Sequence, residues 1–554
     1  MPDDALFAEN TTPDGVDQHI VRMIAKPTHT APVANLLMQK YGDRVICDEN
    51  DQWFHVPDGD YRWNSKVTRP YLKSKMEGEV NKLFQARAPH DFFYGNHPAA
   101  KVPYNQVQDG LCTNRHQNEI AAAFAKDSAQ QHPKFGERLD ENHFLIGFNN
   151  GVIELARPED LVGGELVGDW AGTPGWRFRP GTPSDMISMS VGYAFEEDWT
   201  TASAYQEQYD MFLGKVFKGE EMDHYKLVCA WILCGNLSIR RKFLLLVGHG
   251  GNSKSKQGNL LQHALGDYAY TSMSSQALQV SGKTRHDEEH STKLAGMKGK
   301  RVAVASEPSK RCPYDQNHIK KLTGGDAISA RPAFGKASDI VTFISQASLA
   351  QLLNFSDFPL IEHDPAFDKR ADVLPMKSTF GQRPDKSIIT EDDDEKREYK
   401  EDTSIDMLMP YFKFCWLKAA LAAYKDFLAN PLFEFAHSKE AWNEMCGQQS
   451  AVGTFFSDEV VHVTREVYDG LDPGMRRSRI DQYHYSLDEM FDDFQDWKFK
   501  QTKRAFTDDA TTKRQFTERV LSAFPGFVTA QNRRLSGHSR RVAIEREAAL
   551  GPFE

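Results

Sequence analysis

The sequence predicts an α/β core built around a P-loop. A mixed α/β domain precedes it, and a mainly helical region follows, ending in a basic, winged-helix-like unit. Three observations lead there. Phe243-Leu-Leu-Leu-Val247 is an apolar run without alternation, the pattern of a strand buried on both faces. It feeds directly into the glycine-rich Gly248-His-Gly-Gly-Asn-Ser-Lys254-Ser255, after which Leu260, Leu261 and Ala264 carry a helical spacing. Finally, a chain with a net charge of −11 ends in a stretch, 498–546, with 12 Lys/Arg against 4 Asp/Glu.

The 554 residues allow about three domains at roughly 150 residues each. With 40% hydrophobic and 26% charged residues, the composition is that of a globular protein with sizeable cores. No run approaches the ~20 apolar residues of a membrane helix, and the acidic, polar start Met1–Asn10 is unlike a secretory signal. Seven scattered cysteines, with Cys229 and Cys234 the one close pair, argue against a disulfide scaffold or a structural zinc site and for a reducing compartment.

In chain order, residues 1–29 read as a polar lead-in, and a mixed α/β domain spans 30–220. Within it, the apolar runs 144–148 and 152–155 flank Asn149-Asn150-Gly151 and read as a β-hairpin. Helical stretches follow over 202–217 and 221–237. The P-loop domain spans 221–385, with Val302–Ala305 and Ile340–Ile344 as further buried-strand candidates. The charged run 390–401, TEDDDEKREYKE, lies in a linker, 386–402. A helical region covers 403–484. The unit 485–554 has two amphipathic helices and a basic hairpin in winged-helix order.

The chemistry sits in the loop. Gly248, Gly250 and Gly251 let the backbone curl so that N–H groups, those of Asn252 and Ser253 among them, point at phosphate oxygens; the helix N-terminus adds partial positive charge. Lys254 is placed to reach the β- and γ-phosphates and Ser255 to ligate Mg2+. Ser253 stands where the usual pattern has glycine, which costs about 1–3 kcal/mol if its φ is positive. Glu307, closing Val302-Ala-Val-Ala-Ser-Glu307, occupies the place of a Walker-B acid, a magnesium-holding and water-polarising group. Lys320 and Lys321 precede a Thr-Gly-Gly-Asp turn and Arg331 follows it, cations suited to a phosphate backbone.

The ordered set GHGGNSKS, LLQHALGDYA, KGKRVAVASEP, IKKLTGGDAISAR and DPAFDKRADVLPM resembles the superfamily 3 helicase domain of phage and large-DNA-virus primase-helicases, a family that includes the poxvirus-type nucleoside triphosphatase. Upstream, NHFLIGFNNGVIEL and RPGTPSDMISMSVGYAFEED resemble the domain that precedes the helicase in those proteins. The resemblance implies an AAA+ ATPase, acting as a homo-hexameric ring in the cytoplasm of an infected host cell, neither secreted nor membrane-bound. ATP and Mg2+ would be held by the loop and Glu307. Single-stranded or forked DNA would be gripped by a channel loop carrying Lys320 and Lys321. Arg370 matches the arginine that acts across the subunit interface; an ion pair with Asp364 or Asp368 is its other reading. The family's sensor falls on Gln346, with 347–356 inserted, or on Asn354. Gln346 is preferred, as the tip of the strand Ile340–Ile344. Too little chain precedes residue 30 for a polymerase-like primase, so no primase activity is expected in this chain; a primase or polymerase is either a separate partner or absent. Arg533, Arg534, Arg540 and Arg541 are expected to contact DNA from the tail. The implied function is an ATP-dependent replicative DNA helicase of a phage or DNA virus. The alternatives are a DNA-binding ring scaffold with a weak or inactive ATPase, or a different AAA+ DNA motor.

Overall fold

The computed structural model describes residues 23, 29–65, 68–87, 98–235, 240–280, 294–309, 312–330, 341–359, 361, 364–383, 386–449, 455, 460–463, 487–500, 514–517 and 541–544. Two compact units divide the chain: Met1–Leu155 with Trp176–Phe195, and Ala156–Gly175 with Glu196–Glu554. Among the described residues no helix is long and apolar enough to cross a membrane.

In the first unit, helices Ala31–Tyr41 and Asn114–Gln131 share a core with the antiparallel pair Val45–Cys47 and Trp53–His55. The expected hairpin forms. Leu145–Phe148 pairs antiparallel with Gly151–Leu155, which also pairs with Trp176–Arg179. The Tyr61 hydroxyl lies 2.6 Å from the carbonyls of both Phe148 and Gly151, tying the turn to the body of the unit.

The second unit is organised by a fully parallel five-stranded sheet. Its strands are β1 (Phe243–Gly248), β2 (Ala269–Met273), β3 (Val302–Ala305), β4 (Ser348–Asn354) and β5 (Ala371–Met376), in spatial order β5-β1-β4-β3-β2. Every residue of β1 is buried, as its unbroken apolar run requires of a strand with neighbours on both edges. Around the sheet lie α1 (Thr200–Val216), α2 (Glu220–Cys234), α3 (Lys254–Leu265), α4 (Gln316–Gly324), α5 (Ser404–Ala422) and α6 (Ala436–Gln449). Gly266, at φ 51°, ends α3.

Three expectations need correction. Val341–Ile344 is not a core strand. It is one arm of an antiparallel hairpin with Ala327–Ala330, and its alternating burial marks it as such. The core strand is Ser348–Asn354, hidden in the sequence by a polar residue at its centre. Gln351 is fully buried there, bonded to the Tyr314 hydroxyl and, at 3.2 Å, to the Ser306 carbonyl. The charged run 390–401 is folded rather than a tether. Thr379–Phe380 pairs with Glu398–Tyr399, and Lys215–Asp392, Lys218–Asp394 and Arg397–Glu221 ion pairs at 2.7–2.8 Å fasten it to α1 and its junction with α2. Finally, Arg541–Ile544 pairs parallel with Val460–Val463, so the C-terminal unit draws on chain before 485; the rest of the expected basic hairpin lies outside the described residues.

A buried ionic hub braces the sheet next to β1. Asp372, on β5, takes Arg240 at 2.5 Å and His224 at 3.0 Å, and Ser438 lies 3.3 Å from it. Arg240 also donates to the Pro431 and Phe433 carbonyls and stacks on the Phe433 ring. The Arg240 guanidinium, with His224 and Lys242 beside it, holds the Asp372 carboxyl far below the usual carboxylate range despite the opposing cost of burial. Because the folded-state pKa is depressed, this contribution to stability is complete above the unfolded value of about 4 and is lost as pH falls below it. Asp372→Ala would strand Arg240 in the interior, at an expected cost of about 3–5 kcal/mol in a urea unfolding midpoint series.

Candidate functional site

The loop between β1 and α3 curls back over the tip of β1. Two residues in it take left-handed backbone, Gly251 at φ 71° and Ser253 at φ 64°. Gly248 has no room for a side chain: a Cβ would come within 1.6 Å of Asn252 Nδ2 and 2.5 Å of the Met376 carbonyl. Asn252 is buried and donates to that Met376 carbonyl at 2.8 Å, so β5 anchors the loop. Phe380 N–H donates to the Gly251 carbonyl at 2.8 Å and supports it from outside.

Lys254 is held inside this curl. Its Nζ donates to the His249 carbonyl at 2.7 Å, to Asn252 Oδ1 at 2.5 Å and more weakly to the Gly248 carbonyl at 3.3 Å. Burial pushes its pKa down to about 8, opposed by the charges of Glu307 and Asp357. A desolvated ammonium facing carboxylates beside the unsatisfied N–H groups of a helix start makes a receptor for an anion.

The other side of the site is the C-terminal edge of the sheet. Glu307 follows β3. Asn354 ends β4 directly opposite Gly248. Its amide lies 3.5 Å from Glu307 and 2.9 Å from Asp357. Gly250, Gly251, Asn252, Ser253, Lys254, Ser255, Glu307 and Asn354 all line one cavity of about 480 Å3. Its outer wall comes from α1 and from residues 400–408, both outside the span 221–385 read as the P-loop domain. Lys256, next to the loop, is ion-paired with Asp406 of that wall.

The preference for Gln346 is overturned. That residue lies before β4, at the opposite end of the strand from the loop, and accepts a hydrogen bond from buried Arg301 at 3.2 Å. Asn354 holds the strand-tip position, and no insertion is needed.

Residues 34–218 match the sequence family described as D5 N terminal like. The chain carries a D5 N terminal like segment. It is 29% identical over 362 residues to "Putative helicase L207/L206" of Acanthamoeba polyphaga mimivirus, covering 63% of this chain and 34% of that protein. It is 27% identical over 276 residues to "Putative helicase 121R" of Invertebrate iridescent virus 3, covering 49% and 27%. The chain thus spans about a third or less of the length of these curated relatives. Among solved structures, the C-terminal region of NrS-1 aligns with a TM-score of 0.31 at 11% identity, over 50% of this chain and 59% of that one. The resemblance read from the sequence motifs is borne out by the D5 N terminal like segment and the viral relatives together.

The remaining expected residues are not gathered in the cavity. Arg370 immediately precedes β5, whose register runs from Ala371 opposite Phe243 to Met376 opposite Gly248. It therefore lies about 20 Å from the loop, at the far end of the sheet. Its NH1 donates to the Ala366 carbonyl at 2.6 Å, and it forms no ion pair among the described residues, because Asp364 is engaged by Lys320 at 2.6 Å. Lys320 and Lys321 stand on helix α4 rather than in a loop; Lys321 is exposed. Arg331, Arg533, Arg534 and Arg540 lie outside the described residues, and of Arg541 only the backbone is described. Asp357 and the outer wall were missed by motif reading, since neither carries a pattern of its own.

Ser253 meets the condition attached to its cost: it stands at φ 64°, where a non-glycine residue is strained. Ser253→Gly should relieve that strain and leave the loop's shape unchanged. After the added unfolded-state freedom of glycine is subtracted, stability should rise by roughly 0.5–1 kcal/mol, read as a shift in the denaturant midpoint.

Proposed function

We propose that this chain is an ATP-dependent DNA helicase of a DNA virus or phage, working as a homo-hexameric ring that translocates on single-stranded DNA. The observation that carries the reading is the caged Lys254 facing Glu307 and Asn354 across a single cavity. The D5 N terminal like segment and the viral relatives support it.

The donors present fit the expected ligands. The loop offers backbone N–H groups and a buried cation for the phosphates, and Ser255 with Glu307 offers oxygen ligands of the kind Mg2+ takes. When bound, Mg2+ would supply charge neutralisation for the phosphates. Lys254 exchanges its carbonyl partners for phosphate oxygens and offsets the charge that develops during transfer. Glu307 polarises the attacking water, with Asn354 fixing its carboxylate. Arg370 is too far from its own loop to act there, so it serves the site of a neighbouring subunit. Lys321 is available to DNA as it stands, whereas Lys320 must first leave Asp364.

The test is ATP hydrolysis by the purified chain with and without single-stranded DNA, alongside strand displacement on a forked duplex. Stimulated hydrolysis with displacement supports a helicase; stimulated hydrolysis without displacement indicates another DNA motor. A second reading, a DNA-binding ring with feeble turnover, is favoured by the strained Ser253, and hydrolysis that DNA fails to stimulate would select it.

A further inference from the structure

Gln351 interrupts an apolar face of the sheet. By strand alternation it points the same way as Leu349 and Leu353, toward the core that Leu245, Val247, Ala303 and Ala305 share, and it is fully buried. A methionine would fill that place without burying an amide. The hydrogen bonds say where the amide is needed. The Ser306 carbonyl can only accept, so Nε2 lies toward it, at 3.2 Å, and Oε1 takes the Tyr314 hydroxyl. Ser306 immediately precedes Glu307, and Tyr314 stands two residues before α4, the helix that carries Lys320 and Lys321. One side chain thus fastens both ends of the segment that joins the acid to the lysine-bearing helix. A second buried carboxamide fastens its interior: Gln279 donates to the Ser309 and Cys312 carbonyls at 2.7 and 2.6 Å and accepts from the Ser309 N–H at 3.0 Å. The Tyr314 ring is buried against Phe243, Phe358 and Phe367, so its hydroxyl is held in register with the start of α4.

Resting on the helicase reading above, we infer that Gln351 is a positioning residue for Glu307, and that Tyr314, Gln351 and Ser306 form the line by which DNA held at α4 alters hydrolysis. The bond to the Ser306 carbonyl fixes the backbone from which the Glu307 carboxylate reaches the cavity. Without DNA, the Lys320–Asp364 pair at 2.6 Å sets the place of α4. A DNA phosphate that takes Lys320 from Asp364 shifts α4, and Tyr314 passes the shift through the amide to the acid. Coupling between separate sites is carried by packed and hydrogen-bonded groups in contact, and these three residues supply an unbroken set.

The experiment is steady-state ATP hydrolysis with and without single-stranded DNA, on wild type, Tyr314→Phe, and Tyr314→Phe combined with Gln351→Met. The combined variant replaces both polar partners by apolar groups of similar shape, a change that folds tolerate. Binding sites are counted by calorimetric titration with ADP and Mg2+, which separates turnover per folded site from loss of folded protein. Wild type should be stimulated by DNA at least about fivefold. Tyr314→Phe keeps the bond to the Ser306 carbonyl, so its DNA-free kcat should stay within about twofold of wild type while the stimulation falls to about onefold. The combined variant should keep ADP affinity within about twofold and lose about tenfold or more in DNA-free kcat per site, the scale set by a small misplacement of a catalytic group. Wild-type kcat per site in the combined variant overturns the positioning role. Full stimulation of Tyr314→Phe by DNA overturns the line to α4. Either result leaves the helicase reading standing. Wild-type hydrolysis that DNA does not stimulate overturns this inference together with that reading.

Discussion

Lys254→Ala is expected to reduce ATP turnover by at least about 10²–10³-fold, the range seen when one preorganised charge-stabilising donor is removed. The lysine is the cation buried within the loop, and no other side chain of the loop can replace its charge beside the γ-phosphate. Its loss also leaves the His249 carbonyl and Asn252 Oδ1 without their donor, so far-UV circular dichroism should accompany the assay to show that the fold persists. Equal turnover in wild type and variant would remove the phosphate-site assignment. The same residue predicts a pH effect on binding. With the free-state pKa at about 8, Lys254 is mostly charged at pH 7 and mostly neutral at pH 9. A bound triphosphate favours the charged form, so nucleotide affinity should fall about tenfold between pH 7 and pH 9. In Lys254→Ala this dependence should vanish.

Arg370→Ala should abolish turnover almost as completely while leaving nucleotide affinity within about twofold of wild type, because the arginine lies a full strand length from the loop of its own subunit. Mixing is the decisive arm. An Arg370→Ala subunit carries an intact loop, and a Lys254→Ala subunit carries an intact arginine. At the interface where the second donates its arginine to the first, a complete site is restored. Mixed assemblies should therefore recover activity that neither variant has alone. No recovery at any ratio would mean that Arg370 does not act between subunits. In that case its bond to the Ala366 carbonyl, at the turn before β5, would be its whole contribution.

Local pattern was enough to locate the glycine-rich loop. An unbroken apolar run, a glycine-rich turn and a helical spacing in succession leave few folds open, and β1 and α3 lie where that order places them. The hairpin around Asn149-Asn150-Gly151 was legible for the same reason: turn chemistry and strand pattern agree over a dozen residues. The cost of Ser253 could be stated beforehand only on the condition of a positive φ, and the folded loop supplied the sign.

Other features depended on partners distant in the chain. Val341–Ile344 and Ser348–Asn354 are both short and partly apolar, and which one enters the sheet is decided by pairing with β1 and β3. Gln351 can occupy the buried strand because Tyr314 and the Ser306 carbonyl satisfy it, a condition no window of sequence displays. That choice of strand moved the tip position from Gln346 to Asn354. The charged run 390–401 looked like a tether because its charges are visible in sequence and the partners of Asp392, Asp394 and Arg397, namely Lys215, Lys218 and Glu221, are some 175 residues away. So the sequence by itself determined the glycine-rich loop between β1 and α3, its lysine and the acid across from it, because covalent neighbours build that motif. The tertiary structure alone decided which strand tip faces the loop, which helices wall the cavity and which acids the cations Lys215, Lys218 and Lys320 pair with, because those depend on the burial and pairing of groups that only folding brings together.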